Sequence, residues 1–371
     1  MRPLQRSYGT AVERWSRIGP YYAMFPVDFA FQVIKDYSQS GDAVLDPFAG
    51  RFSSIYAAAA MGRRGLGIEI NPVGWLYGSV KANPASMNRV LGRLEEVGRV
   101  ARTSARVNRA AQLLPTFFKV AYTPKVLCFL IAARRRLAWR TSIVDATLIA
   151  FILVYLHGKR ERSLSNQMRD GKAMAPAYAV RWWRARNLAP PRIDPVAFLR
   201  QRIEWRYKWG TPALRATSRL GDSVRVLQSI RRSVAAGCLP QFDLLFTSPP
   251  YFGVTNYHLD QWLRLWLLGG PPDARRLSGP WTRKFSNPKE YVQLLSEVFA
   301  RSAKVMTRQA TVYVRTDARD FTLDATLAAL SASFPRRDLT VIEQPLRKHS
   351  QTALFGDSSA KPGEVDLILT P

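Results

Sequence analysis

Cysteine and histidine are scarce in this sequence. Its 371 residues include 2 cysteines and 3 histidines. Cys128 and Cys238 form no CxxC pair and no Cys/His spacing, so they indicate neither a disulfide framework nor a zinc site, and we expect a protein of the reducing cytosol. The histidines at positions 157, 258 and 349 are scattered. They predict no metal site and no histidine-activated nucleophile.

Long apolar runs are also missing. The longest, ATLIAFILVYL at residues 146–156, is too short to cross a bilayer and predicts a buried helix. The first residues, MRPLQRSYGT, lack the apolar core of a signal peptide. We therefore expect a cytoplasmic protein without a membrane anchor.

Negative charge is sparse, and positive charge is in large excess. The chain has 55 lysines and arginines against 27 aspartates and glutamates, which gives a net charge of +28. Residues 81–220 alone hold 28 of the basic and 7 of the acidic residues, a net charge of +21. An excess of this sign and size attracts phosphate backbones. The sequence therefore predicts a polyanionic partner that binds mainly through this part of the chain.

The strand and helix patterns predict an α/β fold with one long interruption. DAVLDPFAG, IYAAAAMG and RGLGIEI, within residues 42–70, are typical of the strand–helix–strand unit of a parallel sheet. Residues 85–215 are helical in pattern and basic, and strand patterns return from LLFTSPP onward. We expect a doubly wound, Rossmann-like sheet built from residues 1–84 and 216–371, with a basic helical insertion at 85–215.

Small and acidic residues follow the first two predicted strands. Asp46 and Gly50 lie in the loop after the first strand, and Glu69 lies near the end of the second. At the carboxyl edge of a parallel sheet, small residues let backbone N–H groups approach a ligand, and such an acidic residue can hold ribose hydroxyls. The pattern predicts a cofactor site. The alternative is a turn formed for packing alone, with a solvated glutamate.

A second motif ends the strand FDLLF at residues 242–246. It is TSPPY, residues 247–251. An exocyclic amine of a base reacts slowly because its nitrogen lone pair is delocalised into the ring, and fixed acceptors around the amino hydrogens counteract this. The Ser248 hydroxyl and a backbone carbonyl fixed by proline are such acceptors, and an aromatic ring can stack on a base that has left its helix. The alternative is a Pro-Pro turn with an incidental tyrosine.

VLDPFAG, GRRGLGIEINP and TSPPY, in this order, resemble the motifs of the amino-directed DNA methyltransferases, which modify cytosine N4 or adenine N6. The resemblance covers residues 20–80 and 216–371, and it implies that S-adenosylmethionine is the cofactor. It assigns the catalytic role to Ser248, Pro249, Pro250 and Tyr251. It assigns cofactor contacts to Met24, Phe25 and Pro26 of an upstream segment, to Asp46, Phe48, Ala49 and Gly50 at the methionine end, to Glu69 at the ribose, to Asp222 at the adenine, and to Thr247.

One position departs from the family pattern. Where the family usually has a second glycine, the chain has Phe52, in the order Gly50-Arg51-Phe52-Ser53. Either the loop follows another path with Phe52 packed inward, or cofactor binding is weakened.

Residues 164–187 of the insertion mix amides, arginines and two tryptophans. Such side chains hydrogen bond to base edges and stack on bases. They predict DNA contacts by Asn166, Gln167, Arg169, Arg181, Arg184 and Arg186. In family members with this general motif order the recognition segment tends to lie elsewhere, so this assignment depends on charge. The alternative is a solvated basic helix with a tryptophan pair in its core.

The sequence thus predicts a DNA methyltransferase that acts on a flipped base in double-stranded DNA. The resemblance associates a serine at the first motif position with cytosine, so Ser248 favours cytosine N4 over adenine N6. An RNA amino-methyltransferase and a catalytically silent nucleic-acid-binding module are the alternatives. By resemblance, the protein belongs to a restriction-modification or defence system with a cognate partner.

Overall fold

The computed structural model describes residues 9–19, 25–253, 257–276, 285–344 and 363–371. The chain divides into a sheet unit and a helical unit. The sheet unit comprises the described parts of Phe25–Asn71, Arg215–Asn256 and Gly279–Pro371. The helical unit comprises those of Met1–Met24, Pro72–Leu214 and Tyr257–Ser278.

The strands lie in the sheet unit. Within the described residues they are β1 Ala43–Asp46, β2 Arg64–Glu69, β3 Ala216–Leu220, β4 Phe242–Thr247, β5 Met306–Asp317, β6 Asp338–Gln344 and β7 Glu364–Thr370. They form one sheet in the order β3-β2-β1-β4-β5-β7-β6. β1 to β5 pair in parallel, and β7 is antiparallel to both of its neighbours. The strand order reverses between β1 and β4, which is where ligands bind in such sheets.

The helices in chain order are α1 Ala11–Ser16, α2 Val27–Tyr37, α3 Ser53–Ala60, α4 Pro72–Ala82, α5 Met87–Thr103, α6 Ala105–Gln112, α7 Thr116–Ala121, α8 Pro124–Arg136, α9 Ile143–Tyr155, α10 Pro176–Arg184, α11 Pro195–Tyr207, α12 Ser223–Ala235, α13 Tyr257–Asp260, α14 Trp262–Leu267, α15 Pro288–Ala303 and α16 Asp320–Ser333. A 3-10 turn covers Ala274–Arg276.

The sheet is covered by helices on both faces, because its central strands are apolar on both sides. Leu45 of β1 packs in the core that α12, α15 and α16 close, and its neighbour Val44 packs in the core that α2 and α3 close. Alternate side chains of a strand point to opposite faces, so a run of buried residues such as β1 needs cover on both. The prediction of a doubly wound, Rossmann-like α/β sheet is confirmed.

The helical unit is larger than the segment 85–215. α4 belongs to it, and so do α13 and α14, which come after the fourth strand in sequence. The reason lies in the core of this unit, where Trp262 and Trp266 of α14 are buried and contact Phe118 of α7. The apolar run at 146–156 forms most of α9, which is buried over nearly its whole length, as predicted.

One buried cation helps to build this core. Arg264 of α14 is fully buried, and its guanidinium donates to the carbonyl of Leu153 at 3.0 Å, to Gln261 Oε1 at 2.8 Å and to the carbonyl of Asp170 at 2.6 Å. A buried charge is tolerated when its donors are satisfied in this way. α14 is thereby fixed to the end of α9 and to the loop before α10.

Within the described ranges, no helix combines the length and the hydrophobicity that a membrane span needs. In that same part of the chain, no three His, Cys, Asp or Glu side chains cluster where they could hold a metal ion.

Candidate active site

Asp46 joins the ends of the two central strands. It is the last residue of β1, is 1% exposed, and accepts a hydrogen bond from the Thr247 hydroxyl at 2.6 Å. It also accepts from the backbone N–H of Phe48 at 3.0 Å and from the Ser54 hydroxyl. Burial raises the pKa of Asp46 to about 6, although these hydrogen bonds oppose the shift. One carboxylate therefore fixes the loop after β1 and the strand end that leads into TSPPY.

The loop after β1 is a tight turn. Gly50 and Phe52 both have positive φ, at 51° and 69°. The backbone N–H of Ala49 donates to the carbonyl of Ile68 on β2 at 2.9 Å, which holds the loop against the neighbouring strand. Glycine adopts such a conformation at little cost, whereas a phenylalanine is strained there.

Burial of the Phe52 ring offsets this strain. The ring is 1% exposed and packs on Gly67 of β2, where a Cβ would lie 2.8 Å from the ring. Full burial of such a side chain contributes about 1.5–3 kcal/mol, against about 1–2 kcal/mol for a left-handed backbone. Phe52 packs inward, as the first of the two alternatives for this loop requires.

Glu69 is a buried acid at the end of β2. It is 8% exposed, and its Oε1 accepts from the backbone N–H of Asn71 at 2.7 Å. Burial raises its pKa to about 8, and backbone hydrogen bonds from Asn71, Gly50 and Ile70 oppose this shift. The alternative of a solvated glutamate is therefore wrong. Acids with strongly shifted pKa values are concentrated at functional sites.

Asp222 follows β3 and begins α12. Its side chain accepts from the backbone N–H of Val224 at 3.0 Å, and the N–H of Gly221 donates to the carbonyl of Glu69 at 3.0 Å. The third strand end is thus joined to the second. A cavity of about 630 Å³ opens here, lined by Gly221, Asp222, Val224, Arg225, Val226, Glu290, Gln293, Leu294 and Glu297.

The upstream segment packs on the end of β4. Pro26 precedes α2, and the Phe25 ring stacks on Phe246 with ring centres 4.7 Å apart. Phe246 comes directly before Thr247, so Phe25 lies near the strand end that carries the second motif. Met24, the third residue predicted in this segment, lies outside the described residues.

The TSPPY motif leaves the sheet at the end of β4. Thr247 is fully buried, and Pro249 and Pro250 are buried as well, whereas Ser248 and Tyr251 are half-buried. The Tyr251 hydroxyl donates to Oε1 of Glu364 on β7 at 3.0 Å. The prolines fix the backbone after the strand, while the serine hydroxyl and the aromatic ring remain partly accessible.

The structure therefore brings Asp46, Glu69, Asp222 and the TSPPY motif to one edge of the sheet, at the carboxyl ends of β1, β2, β3 and β4. Sequence reasoning missed Ser54, whose hydroxyl donates to Asp46, and Glu364, which accepts from the Tyr251 hydroxyl. Ser54 could have been found as a hydroxyl in the first turn of a helix that follows the loop. Glu364 gave no local signal, since it is 113 residues from Tyr251.

The residues predicted to contact DNA divide into two groups in the helical unit. Asn166 is fully buried, and its amide donates to the carbonyls of Leu188 at 2.8 Å and Val120 at 3.3 Å. The prediction that Asn166 contacts a base is corrected, because its donors hold the fold. Gln167 is half-buried and its side chain accepts from the backbone N–H of Arg160 at 3.0 Å. The exposed group consists of Arg169, Arg181, Arg184 and Arg186.

The two tryptophans of this segment also separate. Trp183 is fully buried and its indole N–H donates to the carbonyl of Gln167 at 2.7 Å. Trp182 is half-buried, and the guanidinium of Arg186 lies 4.5 Å from its ring centre. One tryptophan therefore belongs to the core, and the other carries an arginine at the surface.

Comparison with known proteins matches the first part of the chain. Residues 4–73 match a family model for N6- and N4-directed enzymes described as DNA methylase. The chain is also 43% identical over 49 residues to the type II methyltransferase M.MthZI of Methanothermobacter thermautotrophicus. These 49 residues are 13% of this chain and 14% of that relative. The family match confirms the resemblance over the segment that holds β1, the loop after it and β2.

Solved structures give weaker likenesses. The rRNA methyltransferase AviRa from Streptomyces viridochromogenes is 12% identical, covers 99% of this chain and 94% of its own, and has a TM-score of 0.37. A SAM-dependent methyltransferase from Agrobacterium tumefaciens is 8% identical, with 94% of this chain and 63% of its own covered and a TM-score of 0.38. At these scores neither adds to what the strand order establishes.

Proposed function

We propose that this chain is an amino-directed DNA methyltransferase, which transfers the methyl group of S-adenosylmethionine to the exocyclic amine of a base in double-stranded DNA. The observation that carries the proposal is the hydrogen bond from Thr247 to Asp46, 2.6 Å long between side-chain oxygens. This bond connects the loop after β1, which has the family's cofactor pattern, to the end of β4, which leads into TSPPY. Two motifs far apart in sequence thus belong to one site.

The residues present fit this cofactor. Glu69 is a carboxyl group that burial keeps largely protonated near neutral pH, and hydroxyl donors would favour its charged form. It would hold the ribose hydroxyls, and Asp222, which lines the cavity described above, would hold the adenine. Asp46, Phe48, Ala49 and Gly50 would surround the methionine end, with Phe25 and Pro26 beside it. Thr247 contributes through its bond to Asp46, and the role of Met24 stays a prediction.

Each residue of the catalytic motif has a separate task in the transfer. S-adenosylmethionine supplies an electrophilic methyl group when it is bound. The Ser248 hydroxyl and a carbonyl of the proline pair accept hydrogen bonds from the amine, which favours a pyramidal nitrogen with an available lone pair. Because Pro249 and Pro250 are buried and have fixed φ, these acceptors need little reorganisation. The Tyr251 ring stacks on the flipped base.

The target atom we favour is cytosine N4. Ser248 occupies the first motif position, and by family resemblance serine there accompanies cytosine, whereas aspartate or asparagine accompanies adenine. The acceptor geometry alone suits either amine, so adenine N6 is the second candidate.

The exposed arginines of the helical unit would contact phosphates. Arg169, Arg181, Arg184 and Arg186 remain as the proposed DNA contacts, together with the half-buried Gln167, after Asn166 is set aside. A basic surface of this kind also suits RNA, and the experiment below separates the two polymers. Both cysteines are free, which agrees with action in a reducing cytosol. A cognate restriction or defence component belongs to the proposal by family resemblance alone.

The decisive experiment is nucleoside mass spectrometry. DNA and RNA are recovered from cells that overexpress the wild-type chain, and from matched cells that express Ser248→Ala. N4-methylcytosine found only in DNA from the wild-type cells supports the proposal. N6-methyladenine found there instead would make adenine N6 the target. Methylation confined to RNA would exclude DNA as the substrate. If neither polymer is modified and calorimetry shows no S-adenosylmethionine binding at millimolar concentration, the chain is a silent nucleic-acid-binding module.

A further inference from the structure

Tyr251 is anchored outside its own motif, on the last strand of the sheet. Its hydroxyl donates to Oε1 of Glu364 at 3.0 Å. Glu364 is the first residue of β7 and pairs with Asp317, the last residue of β5. A tyrosine side chain turns about two torsions. The hydroxyl oxygen lies on the axis of the second, so a hydrogen bond at the far end of the ring restricts mainly the first, which sets where the ring lies. The position of the ring is therefore linked to β7.

Glu364 is in turn held by Arg315, which lies on the same face of the sheet. Arg315 Nη1 is 3.3 Å from Glu364 Oε2. Its Nε and Nη2 donate to the two carboxylate oxygens of Asp366, each at 2.7 Å. The guanidinium carbon lies 3.5 Å from the centre of the Phe29 ring on α2. A guanidinium bound in this bidentate manner and stacked on a ring has one defined position.

The residues of this network differ in how far their side chains are exposed to solvent. The side chains of Arg315 and Asp366 are 9% and 1% exposed, so their pair belongs to the core of the unit. The Glu364 side chain is 40% exposed. An ion pair with so exposed a carboxylate adds little to stability. Loss of the Glu364 carboxylate should therefore leave the fold intact and release the ring of Tyr251.

We propose that Glu364 is a positioning residue, which accepts a hydrogen bond from the hydroxyl of Tyr251 and holds its ring in the position where it stacks on the target base. The inference rests on the proposed function, which gives Tyr251 that stacking role. Arg315, itself held by Asp366, contacts the Glu364 carboxylate in the protein itself, so the ring is in place before a base arrives. Preorganisation of this kind speeds the chemical step and leaves cofactor binding unchanged.

The test is a double-mutant cycle on methyl transfer. Glu364→Ala is expected to lower kcat by roughly tenfold to a hundredfold, with the KM for S-adenosylmethionine within about twofold of wild type. Tyr251→Phe keeps the ring but loses the hydroxyl, so it should have a similar effect. The double variant should be no slower than either single variant, because both remove the same hydrogen bond. Glu364→Gln keeps an acceptor oxygen and should restore kcat to within about threefold of wild type.

The control is Glu343→Ala, which removes an exposed carboxylate from the edge strand β6 and should leave kcat unchanged. If the losses in Glu364→Ala and Tyr251→Phe are additive, Glu364 acts on something other than Tyr251 and the inference is overturned. The same holds if Glu364→Ala retains the wild-type kcat.

A second measurement does not require activity. With 3-fluorotyrosine incorporated at position 251, the wild-type chain should give one sharp fluorine-19 NMR resonance. Glu364→Ala should broaden or split it, and Glu364→Gln should restore it. A resonance that does not change in Glu364→Ala would refute the positioning role even if methyl transfer were impaired. If the wild-type chain methylates no nucleic acid and the resonance still responds to Glu364→Ala, the proposed function fails while the ring-holding contact stands.

Discussion

Glu69 should link cofactor binding to proton release. In the structure, burial raises the pKa of its carboxyl group to about 8, against an ordinary value of 4.5. Ribose hydroxyls donate more strongly to a charged carboxylate than to a neutral acid. Cofactor binding should therefore lower this pKa and displace the proton. At pH 7 a group with a pKa of about 8 is about nine tenths protonated, so nearly one proton should be released for each cofactor bound.

The same shift sets the pH dependence of affinity. Below the raised pKa, each pH unit weakens binding about tenfold, because the carboxyl group must first lose its proton. Affinity should therefore increase about tenfold between pH 7 and pH 9 and then level off. Asp46 does not interfere in this window, since its pKa is about 6 and it is already ionised there.

Calorimetry measures both quantities when it is run in buffers with different ionisation enthalpies. The α-amino group of S-adenosylmethionine titrates in the same range. For this reason the assay should use 5′-methylthioadenosine, which carries the ribose and the adenine but not the α-amino group of the methionine part. The matched control is Glu69→Gln, which keeps the shape and an acceptor oxygen but cannot titrate. It should bind more weakly, release no proton and show flat affinity from pH 7 to pH 9.

The stability of the unliganded protein offers an independent check, because the raised pKa fixes the direction in which the free energy of unfolding changes with pH. The folded state holds the Glu69 proton more tightly than the unfolded chain, so the stability from this group is complete below the ordinary value of 4.5 and is lost as pH rises through about 8. The slope between those values is about 1.4 kcal/mol per pH unit for one group. Urea unfolding between pH 7 and 8 should show this decline in wild type and a smaller one in Glu69→Gln. Equal slopes, together with no proton release on binding, would refute the reasoning.

The remaining predictions concern the loop, the catalytic motif and the basic surface. Gly67→Ala brings a methyl group within 2.8 Å of the Phe52 ring and of Ala49 Cβ, so urea unfolding should show a loss of about 1–3 kcal/mol. Ser248→Ala removes an acceptor of the reacting amine and should slow single-turnover methyl transfer about tenfold to several hundredfold, with calorimetric cofactor affinity retained; full activity would remove serine from the mechanism. Simultaneous replacement of Arg181, Arg184 and Arg186 by alanine should reduce the slope of log affinity against log salt by about 2.7 in duplex DNA titrations. Replacement of Arg231 and Arg232 of α12 by alanine should leave this slope unchanged.

The local part of the site could be predicted from sequence because its signals are contiguous. β1, the loop after it and β2 form one strand–helix–strand unit, and TSPPY directly follows an apolar strand. Parallel strands place their carboxyl ends on one edge, so Asp46, Glu69 and Ser248 had to lie on the same edge of the sheet. For the same reason the doubly wound fold followed from the alternation of strand and helix patterns.

What escaped prediction depends on contacts between residues distant in sequence. The inward packing of Phe52 requires the space that Gly67 leaves on the next strand. Asn166 has the side chain of a base-reading residue, and only its carbonyl partners at Val120 and Leu188 reveal that it is structural. Glu364 follows a segment without a recognisable motif. Its role depends on the antiparallel pairing of β7 with β5, which no local pattern encodes.

The strand order also explains how one chain can carry a large helical segment without losing the site. β2 and β3 are parallel neighbours, and parallel neighbours need a crossover connection in any case. The helical segment lies within this connection. The entropic cost of closing a loop increases by only about 0.6 kcal/mol for each doubling of its length, so a long connection is tolerated. The contact between the two motifs depends instead on β1 and β4, which pair directly through Val44–Leu244 and Leu45–Leu245. This register continues to Asp46 opposite Phe246, the residue before Thr247. Asp46 and Thr247 therefore lie at the adjacent ends of paired strands, and their hydrogen bond is independent of the length of the chain between them.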